Sequence, residues 1–244
     1  MSGHSKWSTI KRKKEKTDGA RAKVFTKISR EIVVAVKEGG GDPNNNAKLR
    51  DLISKAKASN IPNDNIDRLI KKAAGSGEKD NYEAITYEGY GPCGVAVMVD
   101  ALTDNRNRTA GDLRHYFDKF GGNLGQNGCV AFLFERKGLI IVANEEENIS
   151  EDQFMEDLME TSAGDYEFDE DVIEVYTAPD ELQTVRDALE KKGYHFESAE
   201  VAYLPVTETK IDNPEDLEKM EKLLDMLDDN DDVQNVWHTC ANLD

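Results

Sequence analysis

Six consecutive segments decide how this chain folds: GLIIVAN (138–144), SEDQFMEDLMET (150–161), DYEFD (165–169), VIEVYTA (172–178), PDELQTVRDALEKKG (179–193) and FESAEVAYLP (196–205). They read strand, helix, strand, strand, helix, strand. That order is βαββαβ, a complete ferredoxin-like unit. The flanking pieces are incomplete by the same standard. Before it, residues 82–135 give the strand-prone runs EAITYEGY and GVAVMVDAL around the turn GPCG. A helix over 105–120 follows, with Leu113, Phe117 and Phe120 on one face, then the loop FGGNLGQNG, and CVAFLFE reads as a buried strand. After it come one helix, PEDLEKMEKLLDMLDD, and one strand, VQNVWHT. An αβ tail of that size cannot bury a core alone, and the ββαβ piece lacks an αβ. Joining the two satisfies both, so residues 80–135 plus 206–244 are expected to form a split α+β domain into which an α+β domain of residues 136–205 is inserted.

The first third of the chain is helical. Within ARAKVFTKISREIVVAVK (20–37), Val24, Phe25, Ile28, Ile32, Ala35 and Val36 recur at helical spacing. GGGDP ends that helix. Asp42 is expected to cap a second helix over about 43–59, with Pro43 in its first turn and Leu49, Leu52, Ile53 and Ala56 inward. A third helix runs from Pro62 to Ala74 and buries Ile66, Leu69, Ile70 and Ala73. Residues 20–77 are thus a small helical domain, preceded by a basic arm over 1–19. The fold class is α+β: a helical domain and two α+β domains of ferredoxin-like type, the last inserted into the middle one.

Charge divides the chain as sharply as hydrophobicity does. All 244 residues carry a net charge of −18, yet residues 1–80 hold 19 Lys/Arg and 10 Asp/Glu, and the remainder holds 12 and 39. A segment of +9 attached to a body of −27 points to a polyanion as partner of the basic end. No apolar run approaches the ~18 residues of a membrane span, and no apolar stretch follows the basic N-terminus as in a secretory signal. A cytoplasmic protein is expected, with no membrane partner. Cys93, Cys129 and Cys240 are odd in number and far apart, which argues against a disulfide framework. The four His and three Cys offer no zinc-ligand spacing, so neither metal nor cofactor is expected.

Two clusters carry the binding chemistry. The arm MSGHSKWSTIKRKKEK supplies Lys6, Lys11, Arg12, Lys13 and Lys14 for phosphates, Trp7 for stacking on an unpaired base, and His4 for a further contact. In TDNRNRTAGDLRHYF (103–117), Arg106 and Arg108 stand at a helix N-terminus, where the dipole disfavours cations. Free amides beside two guanidinium forks make a phosphate site there; pairing with nearby carboxylates is the competing account. The glycine-rich loops GYGPCG (89–94) and FGGNLGQNG (120–128) lack the GK[ST] and G-x-G-x-x-G contexts of nucleotide loops, so turn geometry accounts for them. No nucleophile elbow, H-E-x-x-H or Cys/His pair with a plausible partner is present; His238 and Cys240 are two apart but have no second pair. An enzyme is not expected, nor a small-molecule substrate.

GHSKW (3–7), the block GGGDPNNNAKLRDLISKAKASNIPNDNIDRLIKK (39–72), YEGYGPCGVA (87–96), TDNRNRT (103–109) and GGNLGQNGCVAFLF (121–134) together resemble the YebC/PmpR family, which includes mitochondrial translational activators of cytochrome oxidase subunit I. The resemblance covers essentially the whole chain. Cys93 and Cys129 stand where many relatives are expected to have glycine and serine, which speaks against a thiol-based role. The resemblance implies three domains and a cytoplasmic, non-enzymatic factor in gene expression; a monomer is expected. Members are generally regarded as DNA-binding transcriptional regulators; others act on the ribosome, through rRNA, easing translation of stretches such as consecutive prolines.

Overall fold

The computed structural model describes residues 18–75, 82–144 and 149–243. The arm candidates His4, Lys6, Trp7, Lys11, Arg12, Lys13 and Lys14 lie outside them. The described residues form an α+β protein of seven α-helices and two four-stranded antiparallel sheets. They fall into two compact units: Phe132–Glu208, and the chain up to Ala131 together with Thr209–Leu243.

The larger unit begins with helices α1 (Asp18–Gly39), α2 (Ala47–Ala58) and α3 (Asn63–Gly75). Ile28, Ile32, Val36, Leu49, Ala56, Ile66 and Ala73 share one buried cluster, as the 3.6-residue period requires. Gly40 ends α1 in the left-handed region (φ 83°), where its N–H donates to the Val36 carbonyl. The cap of α2 differs from expectation. Asp42 accepts from the Asn44 N–H and from the Asn44 and Asn45 side chains, which builds a turn. Asn46 is the N-cap: its Oδ1 accepts from Leu49 N–H, and its Nδ2 donates to the carbonyls of Ala35 and Gly40. One buried amide thus satisfies the start of α2 and the end of α1 together.

The same unit continues with β1 (Glu83–Tyr90), β2 (Ala96–Thr103), α4 (Arg106–Lys119) and β3 (Asn123–Leu124). It is completed by α7 (Pro214–Asp229) and β8 (Val233–His238). The sheet order is β3-β1-β2-β8. Val97, Val99, Leu113, Phe117, Met220, Leu223 and Leu227 form its core, with α4 and α7 packed on the sheet.

The CVAFLFE segment is not a strand of this sheet. Ala131–Leu133 is a 3-10 turn, and Phe132 is 71% exposed. Its neighbours' amides are already taken: the Glu88 carboxylate accepts from Gly128 N (2.6 Å), Val130 N and Ala131 N (both 2.8 Å). The two-residue β3 occupies the edge instead.

The smaller unit contains β4 (Phe134–Ala143), α5 (Glu151–Met159), β5 (Asp165–Phe168), β6 (Val172–Thr177), α6 (Leu182–Lys191) and β7 (Phe196–Pro205). β4 is one uninterrupted strand that starts four residues before the GLIIVAN run. The order β5-β6-β4-β7, all neighbours antiparallel, is that of a βαββαβ ferredoxin-like unit. Ile140, Val142, Ile173 and Val175 point to the helices, against Phe154, Leu158, Val185 and Leu189.

Candidate nucleic-acid interface

The helical part of the larger unit is basic: residues 18–75 carry 12 Lys/Arg and 7 Asp/Glu. Its apolar positions face inward, so its cations are forced outward onto the remaining arc of each helix. Lys48 pairs with Glu38 at 3.0 Å and Lys55 with Glu31 at 3.3 Å. Arg50, Lys57, Arg68, Lys71 and Lys72 are exposed and make no ion pair among the described residues. Arg50 and Lys57 lie two turns apart on α2 and line a groove of about 500 Å³ with Ile53, Ser54 and, from α3, Ile66 and Asp67. Arg68, Lys71 and Lys72 are exposed on α3, and their three- and four-residue spacing puts them on one side of that helix. A row of unneutralised cations beside a partly apolar groove suits a phosphate backbone with a base or sugar in the recess.

The two arginines at α4 have separate fates. Asn105 caps the helix, its Oδ1 accepting from Arg108 N at 3.1 Å, and Arg106 follows at the first helical position. The Arg106 side chain is 63% exposed, with Glu83 3.9 Å away. Arg108, though exposed itself, is committed to partners of its own chain. Its Nη2 donates to Asp104 Oδ1 (2.9 Å) and Asp232 Oδ2 (2.7 Å). Hydrogen bonds from both carboxylates, Asp232 first, hold its guanidinium above its ordinary value. The spacing R-x-R therefore brings one solvent-facing and one internally paired arginine to the same helix end.

Asp232 is the centre of that pairing, and it is buried. Its Oδ2 also accepts from Thr109 Oγ1 (2.7 Å) and Thr103 Oγ1 (3.2 Å), while Oδ1 accepts from Arg30 Nη1 (2.5 Å) of α1. Burial pushes this carboxyl up, but the hydrogen bonds from Arg108, Thr109 and Arg30 outweigh it, and the group ends below the usual carboxylate range.

The glycine-rich loops are structural. A Cβ on Gly122 would run into the Tyr90 carbonyl, so glycine is required where β3 approaches β1. The loop beyond it is held by Glu88. Cys93, in the other loop, is exposed at φ 56°, with its Sγ 3.7 Å from Asp216 Oδ2. Burial and the Asp216 carboxylate both push its thiol up, the opposite of a reactive cysteine. Among the described residues no three His, Cys, Asp or Glu converge as metal ligands, and no helix is long and apolar enough to cross a membrane.

Sequence reasoning passed over the α2–α3 cations. The signal was available: they are what remains when the apolar heptad-like positions of those helices are removed. Asp232 had no comparable signal, lying in a run of acids and finding its partners more than 120 residues away.

The chain resembles known proteins along its length. Residues 5–76 match the model of the TACO1/YebC protein N-terminal domain, and residues 82–240 that of the TACO1/YebC second and third domain. A probable transcriptional regulatory protein of Acetivibrio thermocellus is 54% identical over 238 residues, covering 98% of each chain. Another from Geobacillus kaustophilus is 52% identical over 244 residues, covering 100% of this chain and 98% of that one. The crystal structure of a conserved hypothetical protein from Aquifex aeolicus superposes with a TM-score of 0.84 at 47% identity, covering 92% of each chain. By matches that run in order over nearly all of its residues, the chain belongs to the TACO1/YebC family.

Proposed function

We propose that the protein is a non-enzymatic, nucleic-acid-binding regulator of gene expression that acts on DNA as a transcriptional regulator. The observation that carries this reading is the exposed, unneutralised set Arg50, Lys57, Arg68, Lys71 and Lys72 on α2 and α3 of a chain whose net charge is −18. Cations without an ion-pair partner among the described residues of so acidic a protein are available to an external polyanion. The relatives' description as probable transcriptional regulatory proteins agrees with DNA as that polyanion. The arm residues His4, Lys6, Trp7, Lys11, Arg12, Lys13 and Lys14 and the solvent-facing Arg106 are further contacts that this reading assigns to the same polyanion. The protein acts in the cytoplasm as a monomer.

A second reading, binding to rRNA on the ribosome as a translation factor that relieves stalling, is favoured by the strength of the charge division. A body as acidic as residues 81–244 is repelled by a long duplex but fits between RNA and basic proteins.

The test is fluorescence anisotropy of the full chain on a 30-base-pair promoter duplex and on an rRNA fragment, from 50 to 200 mM salt. Either ligand should bind with a steep negative log–log salt slope, and K57A/K71A should flatten that slope by about one unit per lost phosphate contact. Preference for the duplex selects the first reading and preference for rRNA the second. Absence of binding to both at 50 mM salt rejects them together.

A further inference from the structure

A second basic row exists in the larger unit, and the chain's own acids cover it. Lys23, Lys27 and Arg30 recur along one side of α1. Lys23 Nζ pairs with Asp229 Oδ1 at 2.7 Å, Lys27 Nζ donates to the Asp228 carbonyl at 2.8 Å, and Arg30 Nη1 reaches the Asp231 carbonyl (2.7 Å) and Asp232 Oδ1. All four acceptors belong to the DDNDD run (228–232), which comprises the last two residues of α7 and the turn from it to β8. This turn presents carboxylates and carbonyls to α1 much as a phosphate backbone would.

Two features make the contact detachable. It is largely polar: the buried clusters of α1–α3 and of the β1–β2–β8 sheet share no residue, and what joins α1 to the turn is two ion pairs and two hydrogen bonds to carbonyls, beside Tyr82, which packs on the α1–α3 cluster with Arg30 5.5 Å from its ring. Polar contacts of this kind are weakened by salt and can be competed for by another polyanion. The second feature is the division of Asp232. Its Oδ1 serves Arg30, but its Oδ2 is satisfied by Arg108, Thr109 and Thr103 of its own lobe. When α1 leaves, the buried charge keeps three donors, so opening does not strand it.

We propose that Lys23, Lys27 and Arg30 form a nucleic-acid-binding row that the Asp228–Asp232 turn covers in the free protein, and that a polyanion displaces this turn. The inference rests on the nucleic-acid reading above and adds its regulation: part of the basic surface is withheld until a ligand already held by α2 and α3 competes the acids away. The intramolecular competitor lowers the apparent affinity by the fraction of molecules that are open.

Zero-length carbodiimide crosslinking of the full chain tests this, because the reagent joins a lysine to a carboxylate in direct contact. Free protein should yield the Lys23–Asp229 crosslinked peptide, and a saturating 30-nucleotide single-stranded RNA should cut its yield at least threefold. D229N, which leaves every cation in place, should bind that RNA about threefold more tightly, and D232N more tightly still. D229N is exposed and folds whatever D232N does. Unchanged crosslink yield at saturation, with equal affinities for wild type and D229N, overturns the proposal while leaving the nucleic-acid reading intact. Failure of wild type and both variants to bind RNA or duplex DNA overturns the two together.

Discussion

Arg30 and Asp232, 202 residues apart in sequence, are held at 2.5 Å, and the carboxylate that Arg30 engages is the one Arg108 grips through its other oxygen. One buried acid thereby ties α1 to the end of β2 and the start of α4. Asp232→Asn removes the charge that two guanidinium groups share. It should cost about 2–3 kcal/mol, read as a lowered denaturant midpoint at unchanged m. The pH dependence has a definite sign. The folded-state carboxyl lies below its unfolded value, so its contribution is fully present above about pH 3.9 and is lost as pH falls through the lower folded value. Wild type should lose stability more steeply than Asp232→Asn in that acid window, and the two curves should converge at its bottom.

Arg106 and Arg108 should separate cleanly. Arg108→Ala removes two charge-assisted hydrogen bonds, but its side chain is 44% exposed and solvent screens part of the loss. A cost of about 1 kcal/mol is expected, seen by chemical denaturation. Arg106→Ala should leave stability within about 0.5 kcal/mol and act on nucleic-acid affinity alone. Equal stability losses for the two would contradict the geometry at α4.

Glu88 is the keystone of the loop between β3 and β4. It accepts three amide N–H groups while itself buried. Glu88→Gln replaces one acceptor oxygen by a donor that faces those amides, and should cost about 2–3 kcal/mol. Hydrogen exchange should accelerate at Gly128, Val130 and Ala131 well before the global transition.

Much of this architecture was legible from local pattern, and what was not shares a cause. EAITYEGY became β1 residue for residue, and the βαββαβ order of 138–205 survives in the smaller unit, because strand and helix periods are properties of adjacent residues. The cap of α2 was misplaced because Asn46 is chosen by carbonyls of α1, which a local reading assigns to Asp42 as the residue beside a proline. CVAFLFE has the composition of a strand, but its Val130 and Ala131 amides go to the distant Glu88 carboxylate, and only Phe134 and Glu135 enter a sheet, as the start of β4. At the candidate site, the same gap appears: R-x-R at 106–108 was visible, but only the position of Asp232 decides which arginine is held in an internal network. Where a single long-range polar contact overrides a local preference, one sequence does not reveal it.

Cys93 offers a test in the opposite direction, a substitution that should stabilise. Its backbone sits at φ 56°, ψ 20°, immediately before Gly94 at φ 75°. A side chain in the left-handed region costs roughly 1–2 kcal/mol, whereas glycine adopts it freely but loses about 0.5–1 kcal/mol of chain entropy on folding. The thiol returns little: its contact with Asp216 is long and solvent-exposed. Cys93→Gly should therefore gain up to about 1 kcal/mol, a rise of about 2–4 °C in Tm for a chain of this size. Cys93→Ala keeps the strained backbone and removes only the sulfur, so it should stay near wild type. If alanine matches glycine, the gain comes from the thiol rather than from the turn. If glycine destabilises, the Asp216 contact is worth more than its 3.7 Å separation indicates.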